Sequence, residues 1–333
     1  MLRVEPTRSA RLAFRSVLAA VLLAPSIVGG ADPNYPTRLV KIILASAPGS
    51  SPDAFTRALA DKLSERLGQR FLVENKPGAG TTLGASAVLG AKPDGYVLLA
   101  TTTPAFAVGP ILYKSAQYDP VTSFTAIAMV ARGAPFLIVA PSLAARTLKE
   151  FVALAKTKPG AVSIANGGVG GALHLPAELF ARAADIQLLH IPYKSEALAL
   201  PDVLGGQVSA MFAYPALAVP QIRAGKARAL AYAGVQRSAA LPEVPTVAES
   251  GYPGFQFSGT LLLLGPAGLG KDVVALLNRQ VDAALREPDV HVLYERSGTE
   301  FASASAEEVT ALIKRETETN GALVRELGIS LEP

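Results

Sequence analysis

The chain has 333 residues, a formal net charge of +4, a hydrophobic share of 50% and no cysteine. The missing cysteines exclude disulfides, thiolate metal sites and cysteine nucleophiles. No basic stripe with interleaved aromatics is present, so nucleic acid is not an expected partner.

Residues 1–31 read apart from the fold. Arg3, Arg8, Arg11 and Arg15 make a basic start, Val17 to Val28 is an apolar run, and Gly29-Gly30-Ala31 supplies small residues. This is the layout of a signal peptide cleaved near Ala31, which marks the chain for export; the run is too short to span a bilayer comfortably. An uncleaved anchor is the alternative. The leader carries most of the excess positive charge, and the length beyond it favours two domains.

Strand-like and helix-like segments then alternate, which predicts an α/β fold with mostly parallel sheets flanked by helices. Lys41 to Ala45 is an apolar strand that enters Ala47-Pro48-Gly49-Ser50-Ser51-Pro52-Asp53 and opens a helix. Ser51 suits the N-cap and Pro52 the first helical position. Phe55, Leu59, Leu63 and Leu67 share one face, and Gly68 closes the helix. Asp53 is expected to point sideways and hold the loop by accepting backbone N–H bonds. A second strand, Phe71 to Glu74, leads through Asn75–Gly80 to a helix over Thr82 to Leu89. A third, Tyr96 to Ala100, ends in Thr101-Thr102-Thr103-Pro104. The ends near Ser46, Gly78 and Thr101 should converge on one sheet edge, where open α/β sheets bind ligands.

Ala126 to Val139, through Pro135, carries the chain into a second lobe. There a helix at Leu148–Ala155 precedes the strand Val162–Ala165, the turn Asn166-Gly167-Gly168-Val169-Gly170-Gly171 and a helix reaching Phe180. Strands follow at Leu188–Ile191 and Val208–Phe212, the latter ending at Ala213-Tyr214. Arg228 to Ala233 begins the return, and helices at Asp272–Arg286 and Ala306–Glu326 pack back on the first lobe. The division predicted is 32–130 with 240–333 as lobe 1, and 131–239 as lobe 2.

The two Gly-rich turns are the chemistry-bearing features. Each leaves backbone N–H groups at a helix N-terminus, which attracts anions. The candidate ligand contacts are Ser46, Pro48, Gly49, Ser50, Ser51, Pro52, Gly78, Thr101, Thr102 and Thr103 on one jaw. On the other they are Asn166, Gly167, Gly168, Gly170, Gly171, His174, Ala213 and Tyr214. His174 either packs in its helix or touches ligand, and Lys194 is a solvated or structural residue before it is a clamp. Gly265 to Asp272 nearly spells a phosphate-binding loop, but Asp272 stands where a Ser or Thr hydroxyl is needed, so it reads as a strand-to-helix turn. Gly78, Gly80 and Gly84 miss the dinucleotide spacing and read better as a turn whose N–H groups face the cleft. The three histidines, 174, 190 and 291, have no metal-ligand spacing, and no nucleophile elbow occurs.

The chain resembles the Bug-type receptors, the extracytoplasmic binding components of tripartite tricarboxylate transporters. The residues that carry the likeness begin with Tyr35-Pro36, Pro48 to Asp53 with Arg57, Leu67-Gly68-Gln69, Val73 to Gly80 and Pro93 to Tyr96. They continue with His174 before Glu178-Leu179-Phe180, His190 to Lys194, Gly205 to Val208, Ala224-Gly225-Lys226, Leu241 to Thr246 and Glu249-Ser250-Gly251. The likeness implies a two-lobe periplasmic binding protein fold of the second type that closes on a small carboxylate or dicarboxylate in its interlobe cleft. It implies no enzymatic activity, no cofactor and no metal, a monomer, and membrane transporter subunits or a sensor as partner. Departures from the family pattern fall at Ser46, Ser50, Ser195, Ser209 and Thr260. An exported α/β hydrolase and a ligand-sensing module are the alternative readings.

Overall fold

A computed structural model describes residues 34–167, 173–297, 299, 301, 303–326 and 328. The predicted leader lies outside the described residues. Ten strands are β1 (Val40–Leu44), β2 (Phe71–Asn75), β3 (Val97–Thr102), β4 (Phe124–Gly133), β5 (Phe136–Val139), β6 (Ser163–Asn166), β7 (Leu189–Pro192), β8 (Ala210–Ala213), β9 (Arg228–Tyr232) and β10 (Gly259–Pro266). They form two five-stranded sheets, ordered β2-β1-β3-β10-β4 and β7-β6-β8-β5-β9. Helices flank both sheets, so the central strands are apolar on both faces: Ile42, Leu44, Leu98 and Leu99 in the first sheet and Ile164, Met211 and Phe212 in the second are fully buried.

Both sheets are mixed. β10 runs antiparallel to β3 and β4, and β5 runs antiparallel to β8 and β9. Each is the first strand laid down after the chain crosses from the other sheet. The register explains the direction: Gly259, the first residue of β10, pairs with Gly133, the last of β4, and Phe136 pairs with Ala213 and Tyr232. The crossing chain therefore enters each sheet at the edge where the parallel strands end, and must run away from it.

The long helix Ser51–Leu67 buries Phe55, Leu59 and Leu63, and closes on Gly68 in the left-handed conformation, φ 68°. Its N-cap is Ser50, one residue earlier than the sequence suggests, which puts Ser51 at the first helical position and Pro52 at the second. The reason is local. Ser50 is extended, at ψ 163°, and its hydroxyl turns back to donate to the Ala47 carbonyl at 2.7 Å instead of capping. C-terminal helices Lys271–Leu285, Pro288–Ser297 and Ala306–Glu326 return to the first sheet, as expected for the first and last of them. The middle one has no counterpart in the sequence reading.

The return crossing comes later than the sequence suggests. Arg228–Tyr232 stays in the second sheet as β9, and the segment after it remains there too. Tyr232 N–H donates to Pro245, Val247 N–H to Tyr232, and Phe257 N–H to Ala233. Tyr252 and Phe255 set their rings edge-on to Phe180, with centroids 5.7 and 6.3 Å away. These contacts hold residues 240–257 against the second sheet, where the sequence reading returned the chain at 240.

The crossing is tight at Gly259. A Cβ there would lie 2.0 Å from the Tyr214 hydroxyl and 2.9 Å from Cζ of the same ring. Gly259→Ala is expected to cost about 1–3 kcal/mol through overpacking, read by denaturant unfolding. Adding Tyr214→Phe should recover part of the loss; a double variant no more stable than Gly259→Ala alone would remove this account.

Candidate functional site

A cavity of about 630 Å³ lies between the two sheets. Its first wall is built from the loops after β1, β2 and β3: Ala45 to Ala47 with Ser50 and Pro52, then Pro77 to Thr81, then Thr102. Its second wall comes from Gly167, Leu173, Pro192 to Glu196 and Tyr214. A smaller recess beside it is lined by Ser51, Thr102, Arg132, Tyr214 and Thr260.

Ser46, Ser50, Pro52, Gly78, Thr102, Gly167 and Tyr214 are the predicted contacts that line the main cavity. Ser51 faces the recess. The others face elsewhere. Pro48 and Gly49 lie outside the lining. Thr101 is buried between β1 and β10, and Ala213 is buried where β8 meets β5. Thr103 binds Thr260 twice, hydroxyl to hydroxyl at 3.3 Å and from the Thr260 N–H at 3.3 Å. Gly168, Gly170 and Gly171 lie outside the described residues. Sequence reasoning missed Tyr113, Tyr193 and Glu196 as cavity walls.

His174 and Asn166 turn away from the cavity into a polar cluster of their own. His174 Nε2 lies 3.3 Å and His190 Nε2 3.2 Å from the same oxygen of Glu178. Asn166 Nδ2 meets His190 Nδ1 at 3.2 Å, which fixes a tautomer with the His190 proton on Nε2. The His174 hydrogen bond holds the Glu178 carboxyl below its usual range, and burial pushes His190 down. The ligand atoms of these three side chains lie within 4.8 Å of one another, so this is where the described residues could hold a metal ion.

The first cradle is occupied by the protein itself. Gly49 N–H donates to Asp53 Oδ2 at 3.0 Å, and Ser50 N–H to the Ala47 carbonyl at 3.3 Å. Pro52 has no N–H to offer. Ser51 donates its N–H at 3.4 Å and its hydroxyl at 2.8 Å to Oε1 of Glu196, from the other lobe. The N–H groups expected to face a ligand carboxylate at 49–52 are thus in use.

Asp53 behaves as the sequence suggests. Besides Gly49 it accepts from Asn75 at 2.9 Å and pairs with Arg57 at 3.0 Å. Burial raises its pKa, but the hydrogen bonds from Arg57, Asn75 and Gly49 outweigh that and leave it below the usual carboxylate range.

Free donors occur instead in the loop after β2. Gly78, Ala79, Gly80 and Thr81 all have positive φ, at 127°, 46°, 56° and 76°. That is routine for glycine and costly for alanine and for a β-branched threonine. The N–H groups of Gly78, Ala79 and Gly80 donate to no group among the described residues, and the Thr81 hydroxyl is buried without a partner. Successive N–H groups in such a turn form an anion-binding concavity. Gly84, the misplaced third glycine, serves packing: a Cβ there would lie 2.6 Å from the Ala45 backbone. The Gly265–Asp272 turn is far from the cavity, at the opposite end of β10, as its antiparallel direction requires.

Two mixed sheets joined by two crossings, with a cavity between the loops at their facing edges, define a two-lobe solute-binding protein. The family comparison agrees: residues 55–329 match the tripartite tricarboxylate transporter family receptor, TctC, and the chain belongs to that family. It is 34% identical to Protein BugT of Bordetella pertussis over 90% of this chain and 92% of that one. The solved periplasmic binding protein BugD superposes with a TM-score of 0.84 at 34% identity, covering 89% of this chain and 99% of that one. R. palustris Rpa4515, solved with adipate, superposes at 0.85 with 28% identity, covering 89% and 99%. Among the described residues no helix is long and apolar enough to cross a membrane.

Asp53→Asn should lower stability by about 1–2 kcal/mol at pH 7 through the lost charged hydrogen bonds. The folded pKa lies below the unfolded one, so this contribution is complete above the ordinary carboxylate range and vanishes as pH falls through the depressed value. Unfolding curves of the two forms should converge on acidification; a constant gap would mean packing, not charge. Thr81→Gly should leave the melting temperature level or higher, since about 1–2 kcal/mol of left-handed strain offsets the ~1 kcal/mol entropy cost of glycine. A clear fall would make the Thr81 conformation a structural necessity.

Proposed function

We propose that this is an exported receptor that captures a small organic anion by closing its two lobes and presents it to the membrane subunits of a tripartite tricarboxylate-type uptake system. The observation that carries the reading is the set of free N–H groups at Gly78, Ala79 and Gly80 on the cavity wall, beside the unpartnered Thr81 hydroxyl. One carboxylate sits there. Gly167 and Lys194 face it from the second lobe, and Ser46, Ser50, Thr102 and Tyr214 complete the walls. The adipate held by Rpa4515 supports a carboxylate as the class of ligand.

Lobe 1 in this reading is 32–133 with 259–333, and lobe 2 is 134–258. The hinges are the two crossings, where a few residues absorb the change. The leader is removed near Ala31, and the receptor acts as a monomer. The histidines that a hydrolase would draw on give that alternative no support, because neither His174 nor His190 lines the cavity.

Micromolar affinity needs about 8 kcal/mol. Hydrogen bonds to a charged group contribute about 1.5–3 kcal/mol each, so four to six of them reach that level after association costs. Calorimetry of the mature protein against a panel of organic acids should find a Kd in roughly the micromolar range. A panel in which nothing binds more tightly than about 1 mM overturns the reading.

A further inference from the structure

Glu196 is the least expected group in the cavity. It opens the helix Glu196–Leu204 behind the N-cap Ser195, lines the cavity, and is buried, with 7% of its surface exposed. Its partners are three: Ser51 N–H and Oγ on Oε1, and Tyr214 N–H on Oε2 at 3.4 Å. Two of the three bonds are long, and two carboxylate oxygens can accept about four. No cation pairs with it among the described residues, and Lys194, the basic side chain on the cavity wall, is exposed. A buried carboxylate without a counter-charge is costly unless something supplies one. Burial accordingly pushes its pKa up, against the bonds from Ser51 and Tyr214.

The rest of the cavity has the opposite character. At Gly78 to Thr81 it presents donors without acceptors. The two ends of one cavity therefore ask for opposite charges. A plain dicarboxylate satisfies the donor end and brings a second negative charge to Glu196.

We propose that Glu196 sets the ligand class: the cavity takes an amphoteric organic acid, with its carboxylate against Gly78–Thr81 and a cationic nitrogen against Glu196. This rests on the anion-receptor reading above and narrows it. The cation completes the acceptor capacity of Glu196 while Ser51 and Tyr214 keep their bonds, so lobe closure and ligand charge are read at one carboxylate.

The test is calorimetry of the mature protein with matched pairs that differ in one end group: succinate against β-alanine, glutarate against 4-aminobutyrate, adipate against 5-aminopentanoate. In the wild type the amino member of at least one pair should bind about tenfold more tightly than its dicarboxylate, and Glu196→Gln should erase or reverse that preference. A wild type that prefers the dicarboxylate in every pair it binds overturns the inference and leaves the anion-receptor reading standing. A preference unchanged in Glu196→Gln also overturns the inference. Binding of no member of any pair overturns this inference, while the anion-receptor reading is decided by the organic-acid panel above. The wild-type comparison decides even where the variant fails to fold.

Discussion

Glu196 sits where three helices begin. It is the first residue of its own helix, it accepts from the first residue of the helix Ser51–Leu67 in the other lobe, and it accepts from Tyr214, the N-cap of Pro215–Arg223. Each helix start carries a partial positive charge and unsatisfied N–H groups. A carboxylate at their junction is the one group that can answer all three, and it ties lobe to lobe. Ser51–Glu196 is the described polar link between the loop after β1 and the second wall. The fields of the helix starts offset part of the desolvation that a buried charge incurs, but they are not a full counter-ion.

Much of the fold was legible because it follows from short-range pattern. The strand-turn-helix unit at Lys41–Leu67 has an apolar run, a glycine at positive φ and a helix with Phe55, Leu59 and Leu63 on one face; each signal is local and each held. The role of Asp53 was legible for the same reason, since its partners Gly49 and Arg57 lie within four residues. What could not be read was the competition for donors. Whether the N–H groups of 49–52 stay free depends on Glu196, 145 residues away. A glutamate directly behind a serine N-cap, in a cavity-facing segment, is the signal that was present, but in one dimension it reads as an ordinary first-turn acid. The positive φ of Ala79 and Thr81 had no signal at all, because neither residue type announces it.

The late return of the chain has a related cause. Composition marks β9 as a strand but not which sheet it joins, and it joins by pairing with β5. The segment that follows is then held by an isolated bridge from Thr246 to Tyr232 and by aromatic packing on Phe180, contacts with no periodicity to betray them. The crossing is postponed to Gly259, where the Tyr214 ring leaves no room for a side chain. Tyr214 is therefore shared: its N–H serves Glu196, its ring walls the cavity, and its hydroxyl lies against the crossing strand. Burial, reinforced by the charges of Glu196 and Glu316, keeps that hydroxyl protonated.

The departures from the family pattern sort themselves by this geometry. Ser209 pairs with Ser163, hydroxyl to hydroxyl at 3.1 Å, where β6 and β8 begin, away from the cavity. Thr260 is taken up by Thr103. Ser195, by contrast, caps the helix that Glu196 opens, accepting from Leu198 N–H at 3.4 Å. A cap fixes the direction in which the first turn leaves the loop, and that direction carries the Glu196 carboxylate across to Ser51. The capping serine and the acid that follows it thus act together. The strained turn at Gly78–Thr81 is their complement on the other wall: its free donors are held ready by a backbone that ordinary side chains resist. One jaw offers fixed donors and the other a fixed acceptor, and the chain spends conformational strain on the first and charge burial on the second.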